Sequence, residues 1–165
     1  MTVITRFAPS PTGYLHIGGA RTAIFNFLFA KKHKGKYLVR IEDTDIKRST
    51  NEAVQAIHNG LEWLNIFPSE KIIYQSKEIK THVKVAFELL EKNFAYKCYL
   101  NSEELRELRI KSRENGSPIK SPWRDKFNKN MDDSFVIRLK MPSHGITTIH
   151  DLVQGEVSVN NEILD

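Results

Sequence analysis

The residues best suited to chemistry are concentrated in residues 9–19, which hold two prolines, three glycines and His16. Glycine lets a ligand approach the backbone closely, and proline fixes the path of a loop. A helix is expected to begin near Gly19, where the unpaired N–H groups of its first turn favour an anion, most commonly phosphate. The segment therefore predicts a phosphate-binding site.

A second polar segment, residues 42–45, follows an apolar run and contains Glu42, Asp43 and Asp45. Carboxylate oxygens are ligands of magnesium, so this segment could hold the ion that accompanies a nucleotide. The same composition is also typical of a solvated turn that caps the next helix. Three carboxylates in four residues leave both interpretations open.

The elements that must position these two segments alternate along the chain. Strands are predicted at residues 3–7, 37–41 and 71–74, and helices at residues 19–30, after a cap at Ser49, Thr50 or Asn51, and at residues 78–93. Such alternation predicts an α/β fold with a parallel sheet, whose ligands lie beyond the carboxyl ends of the strands. Residues 9–19 and 42–45 could therefore face one pocket. The apolar stripe of Phe25, Leu28 and Phe29 is expected in the core.

The character of the chain changes near residue 100. A charged helix is expected from a cap at Ser102 to about residue 113, followed by a basic, irregular segment at residues 116–130. Apolar residues then alternate with polar ones in three runs that predict antiparallel strands, at residues 134–140, 145–149 and 156–159. We therefore predict a first domain at residues 1–100 and a smaller α+β domain at residues 101–165.

Composition limits the classes of protein to which the chain can belong. A net charge of +5 on 165 residues favours an acidic partner, with nucleic acid ahead of membrane. The single cysteine, Cys98, excludes an intrachain disulfide and is typical of a reducing compartment. No apolar run is long enough to span a bilayer, and no amino-terminal stretch has the pattern of a signal peptide. We expect a cytoplasmic protein that does not bind membranes.

Residues 6–22 closely resemble the first signature of class I glutamyl-tRNA synthetases, and residues 39–45 resemble a second diagnostic stretch at the expected separation. His16, Ile17 and Gly18 match the family's His-Ile-Gly-His pattern, in which Gly19 replaces the last histidine. The likeness continues at residues 74–76, 95–98 and 135–140. The resemblance implies the first half of a Rossmann-like catalytic domain, followed by the start of an insertion that binds the tRNA acceptor stem.

The resemblance also implies a reaction. Members of this family use ATP to activate L-glutamate as glutamyl-adenylate, and then transfer the glutamyl group to the 3′ end of tRNA(Glu). The implied catalytic residues are Thr12, His16 and Gly18, and the implied ATP-binding residues also include Pro11 and Gly19. The attacking carboxylate is already ionised, so the reaction needs alignment and charge stabilisation rather than a general base.

Recognition of glutamate is implied at a second group of positions, namely Arg6, Ala8, Ser10 and Glu42. In such families the matching arginine holds a carboxylate, the serine assists, and the glutamate binds the α-ammonium. The chemistry agrees, because a planar guanidinium can grip a carboxylate with two parallel hydrogen bonds. Which substrate carboxylate Arg6 contacts is left open.

Two family features are absent from the sequence. Some bacterial relatives carry a zinc knuckle that opens with Cys-x-Cys, whereas this chain has Cys98 followed by Leu100 and no downstream ligand. We expect no zinc, and Mg²⁺ only together with the nucleotide. The family's later Lys-Met-Ser-Lys-Ser loop is also absent. We therefore expect a monomeric amino-terminal fragment that is inactive in isolation.

Other functions remain open at this point. The enzyme that glutamylates the queuosine base of tRNA shares the early motifs but usually keeps the zinc ligands. Glutaminyl-tRNA synthetase is expected to differ at Ala8, Ser10 and Thr12. A non-catalytic, nucleotide-dependent RNA-binding module is a third alternative. Residues 116–129 lie where this family's acceptor-binding insertion would be, and they are either an RNA contact or a disordered segment. The sequence also leaves open whether tRNA(Gln) is charged besides tRNA(Glu).

Overall fold

Three parallel strands form the first sheet: β1 (Ile4–Phe7), β2 (Lys36–Ile41) and β3 (Ile73–Tyr74), in the order β1-β2-β3. The structure is a computed structural model that describes residues 2–126 and 134–164. Its residues cluster into two compact units, Met1–Thr81 and His82–Asp165. The parallel α/β sheet confirms the fold class expected from the sequence.

The third strand begins two residues later than predicted. Near the start of β2, the backbone groups of Tyr37 are hydrogen-bonded to Ser69 instead of to a strand residue. Ser69 N donates to Tyr37 O over 2.8 Å, and Tyr37 N donates to Ser69 Oγ over 3.0 Å. Ladder pairing therefore involves only the last two residues of β2, with Arg40 opposite Ile73 and Ile41 opposite Tyr74.

Two helices connect these strands, α1 (Ile17–Lys32) and α2 (Asn51–Trp63). His16 caps α1, which begins at Ile17, two residues before the predicted start, and Thr50 caps α2, as one of the three predicted candidates. The chain turns tightly after α1, and an added Cβ at Gly35 would lie 2.1 Å from Val3 O. Only glycine permits that approach, which delivers the chain into β2 beside β1.

The core of the first unit lies on one face of the sheet. It contains Phe7, Tyr37, Val39 and Ile41 from the strands, and Ala23, Ala30, Ile57 and Leu61 from the helices. Our assignment of Phe25 and Leu28 to the core was wrong, since they are 63% and 52% exposed, and Phe29 is exposed as well. Helix α1 is apolar on several sides, and its small residues Ala23 and Ala30 are the ones that let it approach the sheet.

The opposite face of this sheet is more open. Side chains alternate along a strand, so Arg6 points away from the helices, unlike its buried neighbour Phe7. Arg6 lies opposite Leu38 in the parallel register, and Arg40 follows two residues later on the same face. This face therefore carries two arginines on neighbouring strands.

A short 3₁₀ helix (Gln75–Glu78) leads into α3 (Ile79–Glu91), close to the predicted helix. The second unit, His82–Asp165, contains α4 (Ser102–Asn115) and two antiparallel pairs. In the first pair β4 (Ala95–Cys98) lies beside β5 (Val136–Leu139), and in the second β6 (Ile146–Asp151) lies beside β7 (Gly155–Asn160). The two compact units meet at residues 81 and 82 and reflect packing alone. The division into domains at residue 100 stays a prediction.

The cap of α4 is Asn101, so the prediction of Ser102 was wrong by one residue. Asn101 Oδ1 accepts hydrogen bonds from Glu103 N and Glu104 N, both at 2.9 Å, and the Glu104 side chain accepts one from Asn101 N at 2.8 Å. This reciprocal capping box satisfies the first turn and makes Ser102 the first helical residue. The basic segment predicted over residues 116–130 lies partly outside the described residues.

In the second unit, the residues around Cys98, where some bacterial relatives carry a zinc knuckle, contact other side chains of the chain. Cys98 Sγ lies 3.4 Å from Ser121 Oγ, and both residues are buried. The Tyr99 ring meets Trp123 edge-on, with 5.0 Å between centroids. Within the described ranges, no group of three or more potential side-chain ligands could hold a metal ion. No helix in those ranges is long and apolar enough to cross a bilayer.

Candidate active site

His16 stands at the start of α1 with an extended backbone, and its side chain closes the helix end. Its Nδ1 accepts a hydrogen bond from Gly18 N over 3.1 Å. A neutral imidazole that accepts at Nδ1 carries its proton on Nε2, so the exposed ring offers one N–H donor at Nε2. That donor lies at the positive end of the helix dipole, which favours an anion.

The two glycines after His16 have distinct neighbours. An added Cβ at Gly18 would lie 3.0 Å from His16 Cε1, so glycine leaves space for the imidazole to cap the helix. An added Cβ at Gly19 would lie 2.9 Å from Leu15 Cδ1, and one at Gly60 of α2 would lie 2.8 Å from Leu15 Cδ2. Leu15 thus packs between the two helices and anchors the loop that carries His16.

Backbone hydrogen bonds join the proline-rich loop to its neighbours. Glu42 N donates to Pro9 O over 2.9 Å, and Thr50 N donates to Pro11 O over 3.3 Å. Pro11 is almost completely buried, whereas Ser10 and Thr12 are exposed and Ala8 is half-buried. The two segments that the sequence singled out are therefore in direct contact, as expected from their places at the ends of parallel strands.

Arg6 and Glu42 occupy the open side of the sheet. Arg6 is exposed, and in the described part of the chain its side chain has no hydrogen-bond or ion-pair partner. Glu42 is half-buried, and its Oε1 accepts a hydrogen bond from Arg40 Nη2 over 2.5 Å. Arg40 was not among the residues singled out from the sequence, and the period-two alternation of β2 was the signal that could have found it.

The three carboxylates of residues 42–45 have three different partners. Asp43 accepts hydrogen bonds from Ser76 N at 2.8 Å and Ser76 Oγ at 2.6 Å, while Asp45 pairs with Arg48 at 3.2 Å. Burial raises the pKa of the Asp43 carboxyl, but the Ser76 hydrogen bonds and the charge of Lys77 outweigh it and leave that pKa below its usual value. Each carboxylate of the acidic segment is thus held by a different partner within the chain.

The topology directs Arg6, His16 and Glu42 toward the carboxyl edge of the sheet, because residues 8–16 connect the end of β1 to the start of α1 and Glu42 directly follows β2. A cavity of about 140 Å³ lies beside this edge. It is lined by Thr12, Gly13, Tyr14, Arg48, Thr50, Glu52 and Ala53. Thr12 is the predicted site residue in that lining, whereas Arg6, His16 and Glu42 lie outside it, on the open edge.

A parallel sheet with a glycine-rich helix start at its carboxyl edge defines the Rossmann-like class of α/β proteins. Comparison with known families is more specific. The family model described as class I tRNA synthetases (E and Q), catalytic domain, matches residues 2–165. The chain therefore belongs to this family, which confirms the resemblance found in its two motifs.

Individual relatives agree with the family. The chain is 51% identical to glutamate–tRNA ligase 1 of Granulibacter bethesdensis, over 100% of this chain and 36% of that protein. It is 50% identical to glutamate–tRNA ligase 2 of Rickettsia felis, over 99% of this chain and 36% of the relative. The crystal structure of glutamate-tRNA synthetase from Elizabethkingia anophelis superposes with a TM-score of 0.85 at 30% identity, covering 100% of this chain and 38% of that one. The chain thus spans about a third of the length of these relatives.

Proposed function

We propose that the chain carries the ATP- and glutamate-binding edge of a glutamate–tRNA ligase, which activates L-glutamate and transfers it to the 3′ end of tRNA(Glu). One observation carries the proposal: the loop that leads into the histidine-capped start of α1 is hydrogen-bonded to the acidic end of β2, since Glu42 N donates to Pro9 O. The relatives named glutamate–tRNA ligase, at about half identity over the whole chain, support this choice of substrate.

ATP binds at the loop before α1. His16 donates its Nε2–H to a phosphate oxygen, Thr12 assists from the loop, and Gly18 keeps the imidazole in position. Pro11 and Gly19 complete the binding loop. The helix dipole adds about 0.3–1 kcal/mol for a negative charge at this end. Alignment of the two anionic reactants must supply most of the acceleration, because that dipole contribution is small beside a catalytic barrier.

Glutamate binds on the open face of the sheet beside the loop. The guanidinium of Arg6 has no partner among the described residues and can bind a substrate carboxylate, and Glu42 lies at the end of the next strand to receive the α-ammonium. Ser10 and Ala8, in the loop between them, complete this part of the site. The positive charge of Arg6 and the negative charge of Glu42 select a substrate that carries both a carboxylate and an ammonium group.

The remaining parts of the proposal concern partners. Residues 101–165 begin the insertion that contacts the tRNA acceptor stem, after a catalytic half-domain at residues 1–100. Mg²⁺ enters together with ATP, on its phosphates, while Arg40, Ser76 and Arg48 each hold one carboxylate of residues 42–45. We further propose a cytoplasmic monomer, and the choice between charging tRNA(Glu) alone and charging tRNA(Gln) as well is left to the aminoacylation assay.

Aminoacylation by the full-length product of the reading frame tests the function. Purified tRNA(Glu) and tRNA(Gln) are each offered with L-glutamate and, separately, with L-glutamine. Glutamyl-tRNA(Glu) is the expected product, and glutamine is not transferred to either tRNA. Transfer of glutamine, or glutamylation of the queuosine base instead of the 3′ end, would overturn the proposal.

A further inference from the structure

The ion pair between Arg40 and Glu42 is unusually enclosed for this molecule. The two side chains are 28% and 32% exposed, whereas those of Lys36 and Glu70, which pair at the other end of β2, are 52% and 53% exposed. Among the ion pairs between described residues, it is the one in which both partners are no more than a third exposed. Solvent screens such a pair less than a surface pair.

Arg40 bears a cost in this arrangement. Its Nε atom is buried and has no hydrogen-bond partner in the described structure. A buried donor without an acceptor is unfavourable, so the pair is weak evidence for a role in stability. The hydrogen bond from Arg40 to Glu42 is therefore better explained by a role in orienting the Glu42 carboxylate than by a role in stability.

Glu42 is held on several sides. Its backbone N–H donates to Pro9 O over 2.9 Å, and the next residue, Asp43, is pinned by two hydrogen bonds from Ser76. Arg40 then fixes the side chain by binding Oε1. Within the described chain, Oε2 accepts no hydrogen bond and stays available.

We propose that Arg40 is a positioning residue that holds Glu42 Oε1, so that Oε2 is presented to the α-ammonium group of the amino acid substrate. This inference rests on the proposed binding of glutamate at Glu42 and names the residue that makes that recognition selective. Arg40 acts through Glu42 and does not touch the reacting atoms. It therefore governs discrimination between L-glutamate and dicarboxylic acids that lack the amine.

Glutarate, which is L-glutamate without its α-amine, is the probe for this role. In aminoacylation assays with the full-length product, we compare KM for L-glutamate, the inhibition constant of glutarate and KM for ATP. The variants are Arg40→Met, which removes the donor, and Arg40→Lys, which keeps the charge but loses the planar fork. Lys36→Met is the matched control, because it breaks an exposed ion pair on the same strand.

We expect Arg40→Met to reduce the preference for L-glutamate over glutarate about tenfold, because an oriented charged hydrogen bond is lost. KM for ATP should change less than about twofold, Arg40→Lys should lie between Arg40→Met and the wild type, and Lys36→Met should match the wild type. If Arg40→Met fails to fold, the Arg40→Lys comparison carries the same test.

An unchanged preference in both Arg40 variants, with Glu42→Gln abolishing it, would overturn the role of Arg40 and leave the proposed function intact. Failure of the wild-type protein to use L-glutamate would remove the proposed function, and the role of Arg40 with it. A general loss of activity with unchanged selectivity would also count against positioning.

Discussion

At the scale of single residues, His16 shows how one side chain can serve both the fold and the site. Its Nδ1 satisfies an N–H of the first helical turn, which is the ordinary work of a cap. The same hydrogen bond selects the tautomer and leaves Nε2–H as the donor that faces outward. Helix stability and the proposed phosphate binding therefore depend on the same imidazole orientation.

The tautomer of His16 can be measured. We expect ¹⁵N spectra of the chain at neutral pH to show the proton on Nε2. In Gly18→Ala the added Cβ would lie 3.0 Å from His16 Cε1, so the ring is displaced and the preference is lost. Gly13→Ala is the control, since an added Cβ there meets no atom within 4 Å. A proton on Nδ1 in the wild type would contradict the cap.

Asp43 gives a prediction about pH. Its folded pKa is lowered, so its contribution to stability is complete above the unfolded value of about 4 and is lost as the pH falls through the folded value. Asp43→Asn should therefore lower the urea midpoint at pH 7, and the difference from the wild type should vanish in strong acid. Glu62→Gln, at an exposed residue of α2, serves as the control. A difference that persists in acid would rule out the charge as its cause.

At the scale of elements, side chains rather than hydropathy define where the helices begin. Thr50 Oγ1 accepts from Ala53 N over 3.1 Å at the start of α2, and Asn101 makes the capping box of α4. Ser, Thr and Asn all favour the cap, so a sequence such as Asn101-Ser102 allows two neighbouring starts. The reciprocal hydrogen bond, which Asn101 N donates to the Glu104 carboxylate, selects Asn101.

The two neighbours can be separated by mutation. Asn101→Ala should destabilise the second unit by about 1 kcal/mol, because it leaves the first-turn N–H groups without an acceptor. Ser102→Ala should change the unfolding free energy by less than about 0.5 kcal/mol, since Ser102 is an exposed helical residue. Denaturant unfolding curves of the two variants measure this. The reverse order would restore the prediction made from the sequence.

At the scale of the whole molecule, the alternation of strands and helices in the first unit could be predicted from the sequence. Hydrophobic periodicity and the glycine and proline residues that end an element are local properties of the chain. Arg6, His16 and Glu42 could be singled out because they lie in two recognisable motifs. The contact of Ser76 with Asp43 could not be predicted, since it depends on which side chains meet across the fold, whereas the alternation of β2 could have placed Arg40 on the face of Arg6. The exposed Phe25 and Leu28 show the same limit: the sequence marked α1 as apolar but not which side faces the sheet.

The central claim is that the edge formed by β1, β2 and the start of α1 binds glutamate and ATP together. Its most direct test is calorimetric titration of the full-length product with a non-hydrolysable glutamyl-adenylate analogue. Arg6→Lys should weaken binding at least about tenfold, because lysine cannot make the paired hydrogen bonds of a guanidinium. Arg109→Lys, at an exposed residue of α4, should bind like the wild type. Equal binding by the wild type and Arg6→Lys would contradict the account.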